Sequence, residues 1–141
     1  MALRKEITVD FLNRSSEDTL DGALGVKMLT LEEGRLTGRM QIEQKHLAIN
    51  GFLHAASIIA LADTCCGNAA MAHLPEGAKS FTTIEMKSNH IGTAREGAIL
   101  CTATACHLGK TTQVWDAIVT EEETGKMIAL FRSTLLVLWS A

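Results

Sequence analysis

The feature that most constrains the fold of this chain is one long apolar segment at about residues 55–72. It contains no proline, it is rich in Ala, Leu and Ile, and it is too long for a buried strand. These properties predict an α-helix. The only proline of the chain, Pro75, follows in "HLPEGAKS", where it is expected to stop that helix.

Segments typical of β-strands lie on both sides of the predicted helix. Before it, "GVKMLTLEEGRLTGRMQI" predicts a hairpin, because apolar and polar residues alternate in the second arm and "EEG" supplies a turn. After it come four strand-like segments, and the short connections "GTAREG", "LGK" and "EETGK" predict an antiparallel meander. At the other end of the chain, about residues 5–21 have an amphipathic helical pattern.

We therefore predict an α+β fold in which an antiparallel β-sheet wraps around a long central α-helix. A length of 141 residues without repeats or low-complexity tracts favours one domain over residues 1–141, with residues 1–21 as an N-terminal helical lead-in. Small side chains along the helix would let the sheet approach closely (Ala60, Ala62, Gly67, Ala69 and Ala70).

Charge and composition argue against several classes of protein. A net charge of −3 and an aromatic content of 4% do not suit a nucleic-acid binder. No uninterrupted apolar run approaches the roughly 20 residues of a membrane span, and the N-terminus lacks the apolar core of a signal peptide. The cysteines form no CxxC pair, so we interpret them as small core residues in a reducing cytoplasm rather than as zinc ligands (Cys65, Cys66, Cys101 and Cys106).

One carboxylate, Asp63, lies in the nearly uncharged stretch "NGFLHAASIIALADTCCGNAAMAH". On a helix, Ile59 and Gly67 would lie one turn on either side of it. Burial among such neighbours raises the pKa of a carboxylate and makes it a stronger base or nucleophile. The alternatives are an acid that faces solvent and an acid that caps a nearby loop.

The start of the same helix is a candidate site for a negatively charged oxygen. We expect His54 there, with the N–H groups of Ala55 and Ala56 free in the first turn. Free amides at a helix start bind anionic oxygen and can stabilise an oxyanion. The alternative is that His54 only caps the helix or packs against it.

The motif "GFLHAASIIALAD", with "LGKTTQVWDAIVTEEETGKMIA" further on, resembles the hotdog-fold acyl-CoA thioesterases, specifically their phenylacetate-degradation branch. The resemblance extends from about residue 25 to the C-terminus. It implies that Asp63 activates water or attacks a thioester carbonyl, while the Ala55 N–H polarises that carbonyl. It places the water-positioning hydroxyl on Thr83, with Thr82 as the neighbouring alternative, and matches His54 to a histidine that shapes the site.

The sequence departs from the family pattern in two places. The family's Gly-Gly after the histidine is Ala55-Ala56 here, which keeps both amides unless the turn requires a positive φ. Many members also carry Asn three residues before the motif glycine, where this chain has Ala48. Asn50 is a candidate replacement.

The resemblance further implies an acyl-CoA substrate, no metal or organic cofactor, and a homodimer that often pairs again into a homotetramer. Lys87, Arg95 and Lys110 are candidate contacts for coenzyme A. Because Ala55 and Asp63 are separated by about 12 Å on one helix, a single thioester would need Ala55 from one subunit and Asp63 from the other. Competing interpretations are a non-catalytic module that binds acyl-CoA as a sensor or carrier, and a hotdog dehydratase.

Overall fold

The long apolar segment forms one uninterrupted helix, α3 (Ala55–Ala72), in the computed structural model, which describes residues 3–140. His54 caps the start of α3, and His73 follows its last residue, just before Pro75. The predicted helix is confirmed. By length and composition α3 resembles a membrane span, but half of it is buried inside the domain, as in the core helix of a globular protein.

Six antiparallel strands form one sheet around α3, in the spatial order β1-β2-β4-β5-β6-β3. The predicted hairpin is confirmed as β1 and β2, with the turn at Glu33 and Gly34. The predicted α+β fold, a sheet wrapped around a central helix, is also confirmed. The strands are β1 (Val26–Glu32), β2 (Arg35–Gln41), β3 (Ser80–His90), β4 (Ala98–Leu108), β5 (Thr112–Glu121) and β6 (Met127–Leu138).

The predicted four-strand meander is wrong for β3. Only β4, β5 and β6 pair in succession, whereas β3 pairs with β6 and lies at the edge of the sheet. Residues 91–97 therefore cross three strand positions, a distance of about 14 Å. An extended segment of this length reaches farther than that, so a short connection does not by itself select a hairpin.

As an edge strand, β3 exposes most of its side chains, including Ile84 and Met86. Its pairing with β6 shifts by one residue between Thr83 and Glu85, which marks a β-bulge at Ile84. An exposed edge with apolar side chains is a surface on which another strand can pair.

The N-terminal lead-in is two short helices rather than one amphipathic helix. They are α1 (Val9–Ser15) and α2 (Leu20–Leu24). Between them the chain turns so tightly that a Cβ on Gly22 would lie 2.3 Å from the carbonyl oxygen of Glu17. The apolar periodicity of this region indicates helical structure but does not reveal the turn between the two helices.

The sheet and α3 approach closely where small side chains face each other. A Cβ on Gly38 of β2 would lie 2.6 Å from the Sγ atom of Cys65. Of the five small helix residues predicted to allow this approach, three are buried and two are half-buried: Ala62, Ala69 and Ala70, then Ala60 and Gly67.

One side of α3 is only half-buried, and we call it the open stripe. Its residues recur at intervals of three and four, so they share one face of the helix. The domain leaves this face partly accessible. The open stripe consists of Ile59, Ala60, Asp63, Thr64, Gly67, Asn68 and Met71.

Candidate active site

Asp63 lies on the open stripe, midway along α3, and its side chain is half-buried. Within residues 3–140, its carboxylate forms no ion pair and accepts no hydrogen bond. Burial raises the pKa of Asp63, and the nearby carboxylate of Asp21 raises it further. An unpaired carboxylate with a raised pKa is suited to accept a proton or to attack a carbonyl carbon.

The start of α3 presents one unpaired amide rather than the two expected. His54 caps the helix, and its Nδ1 atom accepts a hydrogen bond from the Ala56 N–H at 2.9 Å. The Ala55 N–H, by contrast, has no partner among the described residues, and Ala55 is exposed. Neither alanine has a positive φ, so their backbone conformations do not require glycine. Ala55 therefore keeps the free donor predicted for it, and His54 does cap the helix.

A buried histidine that the sequence did not single out as functional, His46, holds the loop before α3 in place. Its Nδ1 atom accepts from the Glu43 N–H at 2.8 Å, so its Nε2 atom is the one that donates to the Leu24 carbonyl, at 2.7 Å. The His46 carbonyl accepts from the His54 N–H at 2.9 Å and from the Ser57 hydroxyl at 2.8 Å. The orientation of the first turn of α3 thus depends on His46.

Asn50 lies at the tip of the turn that precedes α3. The Gly51 N–H donates to the Ala48 carbonyl at 2.9 Å, and Gly51 has a φ of 86°. The side-chain oxygen of Asn50 accepts from the Phe52 N–H at 3.1 Å. One end of the Asn50 amide is therefore used to stabilise the turn, which leaves its NH2 group for any contact with substrate.

Thr83 lies on β3 at the level of Asp63. A Cβ on Gly67 would lie 3.4 Å from the Phe81 ring, which aligns α3 with β3 at that point. Asp63 is about 6 Å back along the helix from Gly67, and Thr83 is roughly 7 Å along β3 from Phe81. The chain reverses direction between α3 and β3, so a step back along α3 and a step forward along β3 point the same way. Thr83 is therefore displaced from Phe81 in the same direction as Asp63 is from Gly67. Thr82 faces the opposite side of the strand and is exposed.

Two of the three predicted coenzyme A contacts, Arg95 and Lys110, lie far apart within one chain. Arg95 lies near the start of α3, with its guanidinium carbon 4.1 Å from the centroid of the Phe52 ring. Lys110 lies at the other end of the sheet, about 30 Å away along β4, with its Nζ atom 5.9 Å from the Trp139 ring. Lys87 is exposed on β3, at the edge of the sheet.

Asp21 of α2 is a second carboxylate at this site, and sequence reasoning missed it. It accepts a hydrogen bond of 2.7 Å from the hydroxyl of Thr64, the residue after Asp63. Asp21 precedes α3 by more than thirty residues and belongs to a segment with no motif. Only the packing of α2 on α3 brings it near Asp63, so no local pattern could have identified it.

The candidate groups are a half-buried carboxylate, an unpaired amide at the start of the same helix and a strand hydroxyl, on a sheet that wraps around that helix. The carboxylate can activate water or attack an acyl carbon, and the amide can stabilise the oxyanion that results. This sheet-and-helix architecture is the hotdog fold. Fold and site together define a hydrolase of the hotdog class.

The chain belongs to the Thioesterase superfamily, whose sequence profile matches residues 50–128, more than half of its length. The proofreading thioesterase EntH of Klebsiella pneumoniae is 30% identical over 123 residues, which cover 87% of this chain and 89% of that protein. The 1,4-dihydroxy-2-naphthoyl-CoA hydrolase of Escherichia coli is 27% identical over 98% of this chain and 100% of its own.

Solved structures agree with this assignment. A mutant thioesterase from Pseudomonas aeruginosa superposes with a TM-score of 0.91 at 26% identity, covering 98% of this chain and 99% of that one. A thioesterase from Haemophilus influenzae gives 0.90 at 28% identity, covering 98% and 95%. The predicted superfamily is confirmed, and the protein is a thioester hydrolase. The narrower phenylacetate-degradation branch stays a prediction.

Proposed function

We propose that this protein hydrolyses the thioester of an acyl- or aryl-coenzyme A to the free acid and coenzyme A, without a metal or organic cofactor. The observation that carries the proposal is Asp63, a half-buried carboxylate without a partner among residues 3–140, on the accessible face of the central helix. Relatives named as naphthoyl-CoA hydrolases support an aryl-CoA among the substrates.

In the proposed reaction, a water molecule positioned by Thr83 gives a proton to Asp63 as its oxygen attacks the thioester carbon. The Ala55 N–H donates a hydrogen bond to the carbonyl oxygen as that oxygen becomes negative. The carbon–sulfur bond then breaks, and the coenzyme A thiolate takes up the proton held by Asp63. In the alternative role of Asp63, its carboxylate attacks the carbon directly and the carbon–sulfur bond breaks to release the coenzyme A thiolate. Water then hydrolyses the resulting anhydride, which frees the acid, restores the Asp63 carboxylate and supplies the proton that the thiolate takes up.

One protomer cannot supply both groups to the same carbonyl. Ala55 is the first residue of α3 and Asp63 lies eight residues later, about 12 Å along the axis. A base and an oxyanion donor must each lie within about 3 Å of the reacting atoms. We therefore propose a homodimer, alone or paired into a homotetramer, in which Ala55 of one subunit acts with Asp63 of the other.

Two surfaces described above support this assembly. The exposed edge of β3 offers unpaired backbone groups to a second copy of β3, which would continue the sheet across the dimer. The open stripe of α3 would then face the same stripe of the partner subunit across a two-fold axis. In that arrangement the start of each α3 lies opposite the middle of the other.

The coenzyme A portion of the substrate needs cationic contacts near this shared site. Arg95 is the favoured candidate because it lies beside the start of α3. Lys87 and Lys110 stay candidates, as does the free NH2 group of Asn50. We place the reaction in the cytoplasm, since the cysteines of the chain are free thiols.

Replacement of Asp63 by asparagine tests the proposal. Asp63→Asn keeps the size of the side chain but removes the base, so we expect thioester hydrolysis to fall by about a hundredfold or more. Purified variant and wild type are assayed by thiol release against aliphatic and aromatic acyl-CoA substrates. Asp18→Asn, an exposed acid outside the site, is the control for the loss of one charge.

Unchanged turnover by folded Asp63→Asn protein would refute the role of Asp63. A non-catalytic binding module predicts a different result: the wild-type protein would bind the acyl-CoA panel, measured by calorimetry, yet release no thiol. Hydrolysis that depends on Asp63 therefore distinguishes the enzyme from the binding module.

A further inference from the structure

We propose that Asp21 of α2 is a positioning residue for this reaction. The Thr64 hydroxyl of α3 holds the Asp21 carboxylate beside Asp63, where its negative charge makes Asp63 a stronger base. The inference rests on the proposed function of Asp63 and goes beyond it, since Asp21 would act on the reaction only through Asp63.

The contact between α2 and α3 fixes the place of Asp21. The Thr64 hydroxyl donates to Oδ1 of Asp21 at 2.7 Å, and both side chains are half-buried. Thr64 directly follows Asp63 on α3, so this hydrogen bond holds the second carboxylate next to the first. A hydrogen bond with Cys101 and burial raise the pKa of the Cys65 thiol, and the charge of Asp21 adds a smaller contribution in the same direction.

The helix that carries Asp21 is itself held firmly. The close approach of Gly22 to Glu17 leaves no room for α2 to move toward the preceding turn. At its other end, the Leu24 carbonyl accepts from the buried His46 ring, and the Gly25 N–H donates to the Asp21 carbonyl. Both ends of α2 are therefore fixed, so Asp21 lies on a short, rigid helix rather than on a free loop.

Few charged groups surround this pair of carboxylates. Among the described residues, neither Asp21 nor Asp63 forms an ion pair. On α3 itself, Cys66 follows Asp63 by three residues; burial raises the pKa of this thiol, and Asp63 contributes to the shift. The inner faces of the surrounding strands carry the Cys101 thiol on β4, His90 at the far end of β3 and Glu121 at the end of β5.

The cation that contacts α2 is Lys45, whose Nζ atom donates to the Ala23 carbonyl at 2.7 Å and lies 3.7 Å from the Glu43 carboxylate. Its charge is shared with Glu43, and Asp21 is the charged group that raises the pKa of Asp63 after burial.

A negative charge beside a catalytic carboxylate has a defined effect. It disfavours the ionised form, so the carboxylate binds a proton more strongly and is a better general base at neutral pH. The rate should then fall on the acid side at a pH above the ordinary range for aspartate. Removal of the second charge should move this acid limb to lower pH.

The test compares the pH dependence of kcat/KM for the wild type and for Asp21→Asn. Asparagine keeps an oxygen that accepts from Thr64 but carries no charge. At the pH where the wild type has half of its plateau rate, we expect Asp21→Asn to keep clearly more than half of its own plateau. Its plateau should also be lower, by about threefold or more, because a weaker base remains. Asp18→Asn controls for the change in net charge, and at the same pH it should have half of its own plateau rate, as the wild type does.

A second variant covers the case in which Asp21→Asn folds poorly. Thr64→Val keeps both carboxylates and removes the hydrogen bond that fixes Asp21, so its acid limb should move in the same direction by a smaller amount. Thermal melting of every variant verifies folding.

The two proposals fail separately. If Asp63→Asn is inactive but the acid limbs of Asp21→Asn and Thr64→Val match that of Asp18→Asn, Asp21 has no such role and the Asp63 mechanism stands. If Asp63→Asn retains full activity, the proposed function itself is wrong.

Discussion

Mixing two inactive variants is the most direct test of a site shared between subunits. Asp63→Asn removes the carboxylate, and Ala55→Pro removes the backbone N–H. The shared-site arrangement predicts that these proteins, each inactive alone, regain activity once their subunits exchange.

The structure indicates that Ala55→Pro should fold. Ala55 is the first residue of α3, where proline is tolerated because its missing N–H has no partner within the helix. The residue before a proline must be extended, and His54 already is, with φ −67° and ψ 135°. The exposed position of Ala55 leaves room for the ring. Loss of activity would then report the lost amide.

The expected recovery follows from the pairing statistics. Random exchange of equal amounts makes about half of the dimers mixed, and each mixed dimer has one site with both the Ala55 amide and the Asp63 carboxylate. About a quarter of the wild-type sites should therefore return. If each subunit carried its own complete site, no activity would return.

A second mixture gives the opposite signature and serves as the control. Wild type is mixed with a chain that carries both changes, Ala55→Pro and Asp63→Asn. Before exchange, half of all sites are active. After exchange, shared sites predict a fall to about a quarter, because both sites of a mixed dimer are incomplete, whereas unshared sites predict no change.

Light scattering first establishes that the protein is a dimer or tetramer, and native mass spectrometry of a tagged subunit follows the exchange. Activity is measured by thiol release over the same time course. Exchange to completion without recovery in the first mixture and without loss in the second would refute the shared site. A monomer at micromolar concentration would refute it earlier.

Two further predictions concern stability. The pKa of Asp63 is raised by folding, so the folded protein favours the protonated form and the ionised carboxylate destabilises the fold at neutral pH. Asp63→Asn should therefore melt at a higher temperature than wild type at pH 7. This difference should disappear as the pH falls through the folded pKa toward 3.8, the ordinary pKa of an aspartate. A difference in melting temperature that stays constant with pH would contradict this origin. Gly38→Ala should destabilise the fold by about 1–3 kcal/mol in urea unfolding, because the new Cβ meets the Cys65 Sγ atom. Cys65→Ala in the same chain should recover part of that loss, and equal destabilisation with and without Cys65 would rule out this contact as the cause.

Features of the fold that depend on local pattern were predictable. The bounds of α3 follow from a continuous apolar composition that ends before Pro75, and the first hairpin follows from alternation around a turn. The position of β3 was not predictable in the same way. The connection after β3 is long enough to cross the sheet, and a strand pattern reports which residues alternate but not which strand they pair with.

The same distinction applies to the candidate site: its local features were predictable from the sequence, and those that depend on side-chain conformation or long-range packing were not. Asp63 and the Ala55 amide lie on one helix, so motif and periodicity could place both. The pairing of Ala56 with the His54 ring depends on a side-chain rotamer, which the sequence does not specify. Asp21 reaches Asp63 only through the packing of α2 on α3, a long-range contact that no spacing encodes.

The negative φ of Ala55 and Ala56 has a consequence for how this segment can change during evolution. If the function of the pair needs only a small side chain and a helical backbone, glycine and alanine can replace each other there without loss of the amide. The exchange is not neutral for the unfolded chain, since alanine has fewer accessible conformations to lose. Each alanine in place of glycine should favour the folded state by about 0.4–1 kcal/mol. A lineage that acquires both alanines would therefore gain tolerance for destabilising substitutions elsewhere in the chain.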